Sequence, residues 1–286
     1  MIKFGIHPFV WTSKWEKDST PLIRRARELG FGLLDIPVRA LDAGDVQATR
    51  AALEEWGMSA VGVAGVGLPT DLTSEDASVR RQSMEYLKRV VRNTQAIGAE
   101  VLAGVFYAPI GRLVGRGPTE QELEQSAQGL KELARYAQDY DVRLALEAVN
   151  RYETYFINTC QQGLEMLERI DESNVGLLLD TYHMNIEEKG FYRPIVDAGE
   201  RLFHIHLCEN DRGVPGSGLV RWDDVFRALG DIRYEGAVSI ESFTTSIPEI
   251  AAATCVWRSL APDGDTLALE GLRYLRSMAE CHGLLG

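Results

Sequence analysis

The chain has 286 residues, with 30 Lys plus Arg against 42 Asp plus Glu, a formal net charge of −12. Hydrophobic residues at 45% and charged residues at 25% are ordinary for a folded soluble chain and exclude extended disorder. The acidic balance argues against nucleic acid or an anionic membrane as the main partner, and no apolar run approaches the roughly 18 residues of a membrane span.

In chain order, a first strand is predicted at 4–7, where His7 and Pro8 interrupt the apolar run too early for a signal peptide. A helix follows, with Thr20 as its cap, Pro21 in its first turn, a stripe of Leu22, Ile23, Ala26 and Leu29, and Gly30 as its stop. Strands are then predicted at 33–36, 60–64 and 101–106. The segment 119–140 opens on the capping-box pattern Thr119-Glu120-Gln121-Glu122 and carries Leu123, Ala127, Leu130 and Ala134 at helical spacing. Four more strands fall at 143–147, 175–180, 202–206 and 237–241.

Eight strands, each followed by a helix-compatible segment, imply right-handed βα units and a parallel sheet. That number in this length predicts one (β/α)8 TIM barrel spanning residues 1–286, in preference to a doubly wound open sheet. Two connections, 108–118 and 242–265, exceed an ordinary βα loop and belong on the C-terminal face, where active-site walls sit. The cysteines at 160, 208, 255 and 281 form no C-x-x-C pair, so neither a disulfide framework nor a zinc finger is expected. A reduced, cytoplasmic setting is the simplest expectation.

The last four predicted strands end in Glu147, Asp180, His206 and Glu241. Adjacent strand ends converge at the mouth of a barrel, where three carboxylates would repel one another unless a divalent cation neutralised them. Oxygen ligands with one imidazole suit Mn2+, Mg2+ or Co2+. His204 shares the face of His206 but lies deeper, which suits a hydrogen-bonded core residue. Glu153, His183 and Arg212 follow the ligand-bearing strands closely enough to reach back over the cation. His7 either lines the pocket or caps the barrel. Trp11, Trp15 and Tyr107 either wall a sugar or pack at the rim. A cation holding two adjacent oxygens of a hydroxy-ketone acidifies the C–H bond between them, and two glutamates flanking that carbon could exchange its proton on either face.

The strings Leu146-Glu147-Ala148-Val149-Asn150-Arg151-Tyr152-Glu153, Leu179-Asp180-Thr181-Tyr182-His183-Met184-Asn185, His204-Ile205-His206-Leu207-Cys208-Glu209-Asn210-Asp211-Arg212 and Ser239-Ile240-Glu241-Ser242-Phe243 carry a resemblance. The chain resembles the ketose 3-epimerases (the D-tagatose and D-psicose, or allulose, 3-epimerase family) among the xylose-isomerase-like barrels, over nearly its whole length. The resemblance implies that Glu147, Asp180, His206 and Glu241 hold the divalent metal and that Glu147 and Glu241 are the acid–base pair at C3. It implies further that Glu153, His183 and Arg212 bind the O1–O2 end of the sugar, and that the enzyme is a homodimer or homotetramer. Related barrels that isomerise inosose or hydroxypyruvate, or cleave 3-oxo-glycosides, share this enolate chemistry. The first and fourth strands end in His7-Pro8-Phe9 and Phe106-Tyr107-Ala108-Pro109, which depart from the family pattern where the distal end of the sugar lies.

Overall fold

Residues 2–285 are described by a computed structural model. Eight short strands form in the predicted places: β1 (Lys3–Ile6), β2 (Leu33–Pro37), β3 (Ser59–Val63), β4 (Val101–Gly104), β5 (Arg143–Glu147), β6 (Val175–Asp180), β7 (Leu202–His206) and β8 (Ala237–Ile240). All neighbours pair in parallel, and β1 pairs with β8, so the sheet closes into a barrel and the open-sheet alternative is excluded.

The outer ring consists of α1 (Pro21–Leu29), α2 (Ala43–Trp56), α3 (Ala77–Ala96), α4 (Glu120–Gln138), α5 (Cys160–Ile170), α6 (Thr181–Glu187), α7 (Tyr192–Ala198), α8 (Trp222–Asp231), α9 (Pro248–Thr254) and α10 (Gly264–Cys281). Helix α1 ends at Gly30 in the left-handed region (φ 103°), but Thr20 does not cap it. Its hydroxyl donates to the Lys17 carbonyl at 2.9 Å, because the preceding chain is already turned in a short 3-10 helix. Helix α4 has both halves of its capping box: the Thr119 hydroxyl accepts from the Glu122 amide at 3.2 Å, and Glu122 accepts from the Thr119 amide at 2.7 Å.

Five strands (β1, β2, β3, β4 and β8) end one or two residues from the expected place, and three of these differences bear on the site. β1 stops at Ile6, and His7 becomes the cap of a 3-10 turn over Pro8–Val10. β4 stops at Gly104, not 106: Gly104 has φ 132°, and a Cβ there would collide with the Ala64 carbonyl oxygen. β8 stops at Ile240, so Glu241 is the first residue beyond the sheet.

The side-chain period of two sorts the strands. Outward residues such as Leu34, Ile36, Leu102, Leu144 and Leu146 join the helices in the main apolar core. Inward residues Leu33, Val61, Val101, Ala103, Ala145 and Leu178 form a second, smaller cluster inside the barrel. Along the same inward faces the lining then turns polar, through Asp35, His204 and Ser239 to His206, Glu147 and Asp180. The C-terminal mouth is therefore where charge collects.

Candidate active site

Each strand-end residue reaches the mouth because the last inward position of its strand faces the barrel axis. Glu147 ends β5, Asp180 ends β6, His206 ends β7, and Glu241 follows β8. Ligand-type atoms of these four side chains lie within 4.8 Å of one another. His206 Nδ1 stands 3.3 Å from Glu241 Oε2, 3.8 Å from Asp180 Oδ2 and 4.0 Å from Glu147 Oε1. Asp180 is fully buried, and one of its oxygens accepts the Tyr182 amide of α6 at 2.8 Å.

Arg212 closes the cluster on one side. Its Nη1 is 2.5 Å from Asp180 Oδ2 and 2.9 Å from Glu241 Oε2. The guanidinium stacks over Tyr182 at 4.1 Å, and Arg212 itself adopts a left-handed backbone (φ 67°) pinned by the Ser242 hydroxyl on its carbonyl. The loop that carries it is organised by buried Glu209, which accepts from Trp222 Nε1 at 2.8 Å and from the Gly216 amide at 2.9 Å. His183, on α6, places Nε2 at 3.8 Å from Glu147 and 3.3 Å from Arg212 Nη2, while its Nδ1 accepts the Asn150 amide at 3.1 Å. Glu153 stands at the rim, with Asn150 Nδ2 donating to it at 2.8 Å.

The electrostatics follow from crowding. Burial and the neighbouring Glu241 push the Glu147 carboxyl well above the ordinary range. Burial also pushes Glu241 upward, but Arg212 and His206 outweigh it and hold that carboxyl well below its usual value. Asp180 is raised by burial. Burial lowers His206, yet Glu241 and Asp35 beside it carry the imidazole well above its usual value. His183 is pushed well below its usual value by burial and by Arg212. With all three carboxylates ionised and His206 neutral, as a metal ligand must be, one guanidinium leaves two negative charges uncompensated, which is the charge a divalent cation would cancel. Both ring nitrogens of His206 are buried without a well-formed hydrogen bond, as expected of an imidazole built to meet something else.

Glu147, His206 and Glu241 open onto a cavity of about 340 Å3, within the range of small-molecule sites. His7 and Trp15 line it. The His7 Nδ1 accepts the Phe9 amide at 3.3 Å, and burial lowers the imidazole to about 4, so it is neutral near pH 7. The Trp15 indole is fixed by its N–H on Thr49 at 3.0 Å. Of the three aromatics expected either to wall a sugar or to pack at the rim, the other two lie away from this cavity. Tyr107 does not face the cavity: it is fully buried, stacked on Phe156, and its hydroxyl donates to the Glu147 carbonyl at 2.8 Å. It braces the backbone that carries Glu147, because β4 ends two residues early and the chain turns Tyr107 into the wall. Trp11 lines a separate cleft beside α10, with its indole on Asp265 at 2.9 Å.

Asp35 is the residue that strand-end reasoning missed. It sits inside β2, fully buried, facing His204 at 3.4 Å and His206 at 3.3 Å. The available signal was an acid in the middle of the apolar run Leu33-Leu34-Asp35-Ile36.

Fold and mouth together define the class: the profile described as a xylose isomerase-like TIM barrel matches residues 23–278. Within that class the chain is 36% identical over 278 residues to the ketose 3-epimerase of Arthrobacter globiformis, with 96% of each chain covered. It is 35% identical over 275 residues to the probable ketose 3-epimerase of Synechocystis sp., again covering 96% of each. The crystal structure of D-allulose 3-epimerase from Methylomonas sp. in complex with D-allulose superposes with a TM-score of 0.91 at 34% identity, covering 97% of both chains. The chain belongs to the ketose 3-epimerase family, whose members are isomerases.

Proposed function

We propose that the protein is a divalent-metal-dependent 3-epimerase of free ketoses of the D-allulose/D-fructose, D-tagatose/D-sorbose and L-ribulose type. The observation that carries this reading is the cluster of Glu147, Asp180, His206 and Glu241 at four consecutive strand ends, opening on the cavity. Its oxygen-rich, single-imidazole composition fits Mn2+, and Mg2+ or Co2+ as alternatives. Bound there, the cation would polarise the carbonyl and hydroxyl of a ketose and stabilise the enediolate.

The chain's own residues do the rest. Glu147 and Glu241 reach the cluster from β5 and from beyond β8, with β6 and β7 between them, which suits removal of the C3 proton on one face and its return on the other. Arg212, His183 and Glu153 supply hydrogen bonds to the O1–O2 end of the sugar. His7 and Trp15 meet the distal carbons. Ala64, Gly65, Ala103 and Gly104 leave the volume the sugar occupies.

All four cysteines are free, which supports a reduced, cytoplasmic setting; among the described residues no helix is long and apolar enough to cross a membrane. Among the described residues, five of the seven exposed large hydrophobics (Leu68, Ile110, Leu113, Tyr152 and Leu219) lie on strand-to-helix connections of the C-terminal face, and Trp257 lies between α9 and α10. That distribution supports a homodimer or homotetramer. A panel of ketohexoses and ketopentoses, assayed after chelation and after readdition of Mn2+, Mg2+ or Co2+, tests the reading. Metal-restored inversion at C3 is expected; no inversion at C3 in any sugar sinks it.

A further inference from the structure

Below the four strand-end residues, Asp35 is a fully shielded carboxylate that no step above uses. A carboxylate buried in a barrel is costly unless donors face it, and the groups facing Asp35 are specific. The Ser239 hydroxyl donates to Oδ1 at 3.0 Å, His204 Nε2 lies 3.4 Å from Oδ1, and His206 Nε2 lies 3.3 Å from Oδ2. His206 is thereby turned with one nitrogen into the barrel and the other upward. Its Nδ1 faces Glu241 at 3.3 Å, Asp180 at 3.8 Å and Glu147 at 4.0 Å.

Against burial, Glu241 and Asp35 favour the protonated ring when no cation is present, but an imidazole that ligates a cation is neutral, with one N–H and one lone pair. With a carboxylate opposite Nε2, the N–H belongs there, and the lone pair is left at Nδ1 among three carboxylates. Only a cation is a favourable partner for a lone pair in such company. His204 holds the His206 ring upright from the side: the two rings meet edge to face at 86°, with centroids 5.1 Å apart, and His204 Nδ1 lies 3.2 Å from the Ala237 carbonyl.

We propose that Asp35 is a positioning residue for the metal: through the Nε2–H of His206 it sets the tautomer and ring orientation that present the Nδ1 lone pair to a divalent cation held by Glu147, Asp180 and Glu241. This inference rests on the reading of those four residues as a metal site. Carboxylates placed behind a ligand histidine raise its basicity and hold its plane, and losing one weakens metal binding by about 10- to 100-fold. Ser239 acts one step further back, holding Asp35.

The test is Mn2+ binding to the chelated full-length protein, followed by the electron paramagnetic resonance of free Mn2+. Asp35→Asn is expected to weaken binding by about 10- to 100-fold, and Ser239→Ala to weaken it in the same direction by less. The melting temperature of the metal-free proteins is measured alongside, since a merely structural Asp35 would lower it and leave the Mn2+ affinity unchanged. In the Mg2+-loaded wild type, long-range nitrogen–proton spectra of 15N-labelled histidine are expected to show His206 protonated at Nε2. If the affinity is unchanged in the variants, or His206 carries its proton on Nδ1, the proposal is overturned while the metal site stands. If the wild type binds no Mn2+ at millimolar concentration, the metal-site reading falls and this inference with it. Should Asp35→Asn fail to fold, Ser239→Ala and the wild-type histidine spectrum decide the matter.

Discussion

Glu147 and Glu241 share one cluster but have opposite neighbours. Arg212 lies 2.9 Å from Glu241, whereas Glu147 has no guanidinium within ion-pair distance among the described residues. Two carboxyls whose surroundings drive them apart suit an acid and a base working in turn. Glu147→Gln and Glu241→Gln are therefore each expected to lower kcat for C3 inversion by about 100- to 10,000-fold. Calorimetry in the presence of Mn2+ should still detect sugar binding to both variants, and two active variants would refute the acid–base assignment. Arg212→Lys is expected to be severe as well, because a lysine cannot reproduce the stack on Tyr182 together with the fork that puts Nη1 on Asp180 and Glu241 and Nη2 towards His183. A rise of about tenfold or more in KM, read from initial rates, is the outcome to look for. At this scale the four strand ends were legible because a charge closing an apolar strand is costly to bury unless a partner at the mouth compensates it. Tyr107 was not, since an aromatic at a rim serves as wall or as brace equally well until the backbone turn beyond Gly104 is seen.

The connection from β4 to α4 shows how an element anchors one side of the site. Arg112 in that loop reaches back to Asp71 at 2.5 Å and to Thr73 at 3.1 Å. Glu122 in the first turn of α4 accepts from Arg116 at 2.7 Å, from the Thr119 amide at 2.7 Å and from Tyr155 at 3.0 Å. Burial alone would raise the Glu122 carboxyl, but these donors hold it at about 2, against 4.5 for a free glutamate. Because the folded value is the lower one, the stabilisation is complete above about 4.5, the unfolded value, and is lost as the pH falls from there towards 2. Glu122→Gln should cost about 1–2 kcal/mol near neutral pH, read from urea unfolding, and the gap to wild type should narrow between pH 4.5 and 3. A gap that stays constant with pH would show that the charge contributes nothing. The capping box behind this was readable from Thr119 and Glu122 alone, because it is local in sequence. The ties to Arg116 and Tyr155 were not, nor was the failure of Thr20 to cap α1, since each depends on where the neighbouring chain runs.

Closure of the barrel joins what the sequence keeps farthest apart. Ser239 and Asp35 are 204 positions apart yet hydrogen-bonded, because β8 and β2 both flank β1. No spacing rule reaches that distance, which is why eight βα units could be counted from periodicity while the layer beneath the site could not be seen. The same closure gives the net charge of −12 a local meaning. Most acidic residues stay on the surface, where water screens them, but three meet at the mouth with Arg212 as the guanidinium between two of them. Burial and their crowding push the Glu147 carboxyl up in the metal-free fold, and on the proposed reading a divalent cation would relieve the crowding, so the cation should stabilise the whole molecule as well as activate it. At free Mn2+ about 100 times its dissociation constant, the linkage amounts to about 2.7 kcal/mol. For a chain of this size that corresponds to a rise of about 4–6 °C in melting temperature over the chelated protein. Asp180→Asn removes one of the three carboxylates while leaving Arg212 in place. It should melt at or above the chelated wild type without metal, and gain much less from added Mn2+. Differential scanning calorimetry of both proteins, with chelator and with Mn2+, distinguishes this from a passive acidic mouth, in which case metal would leave both melting temperatures where they were.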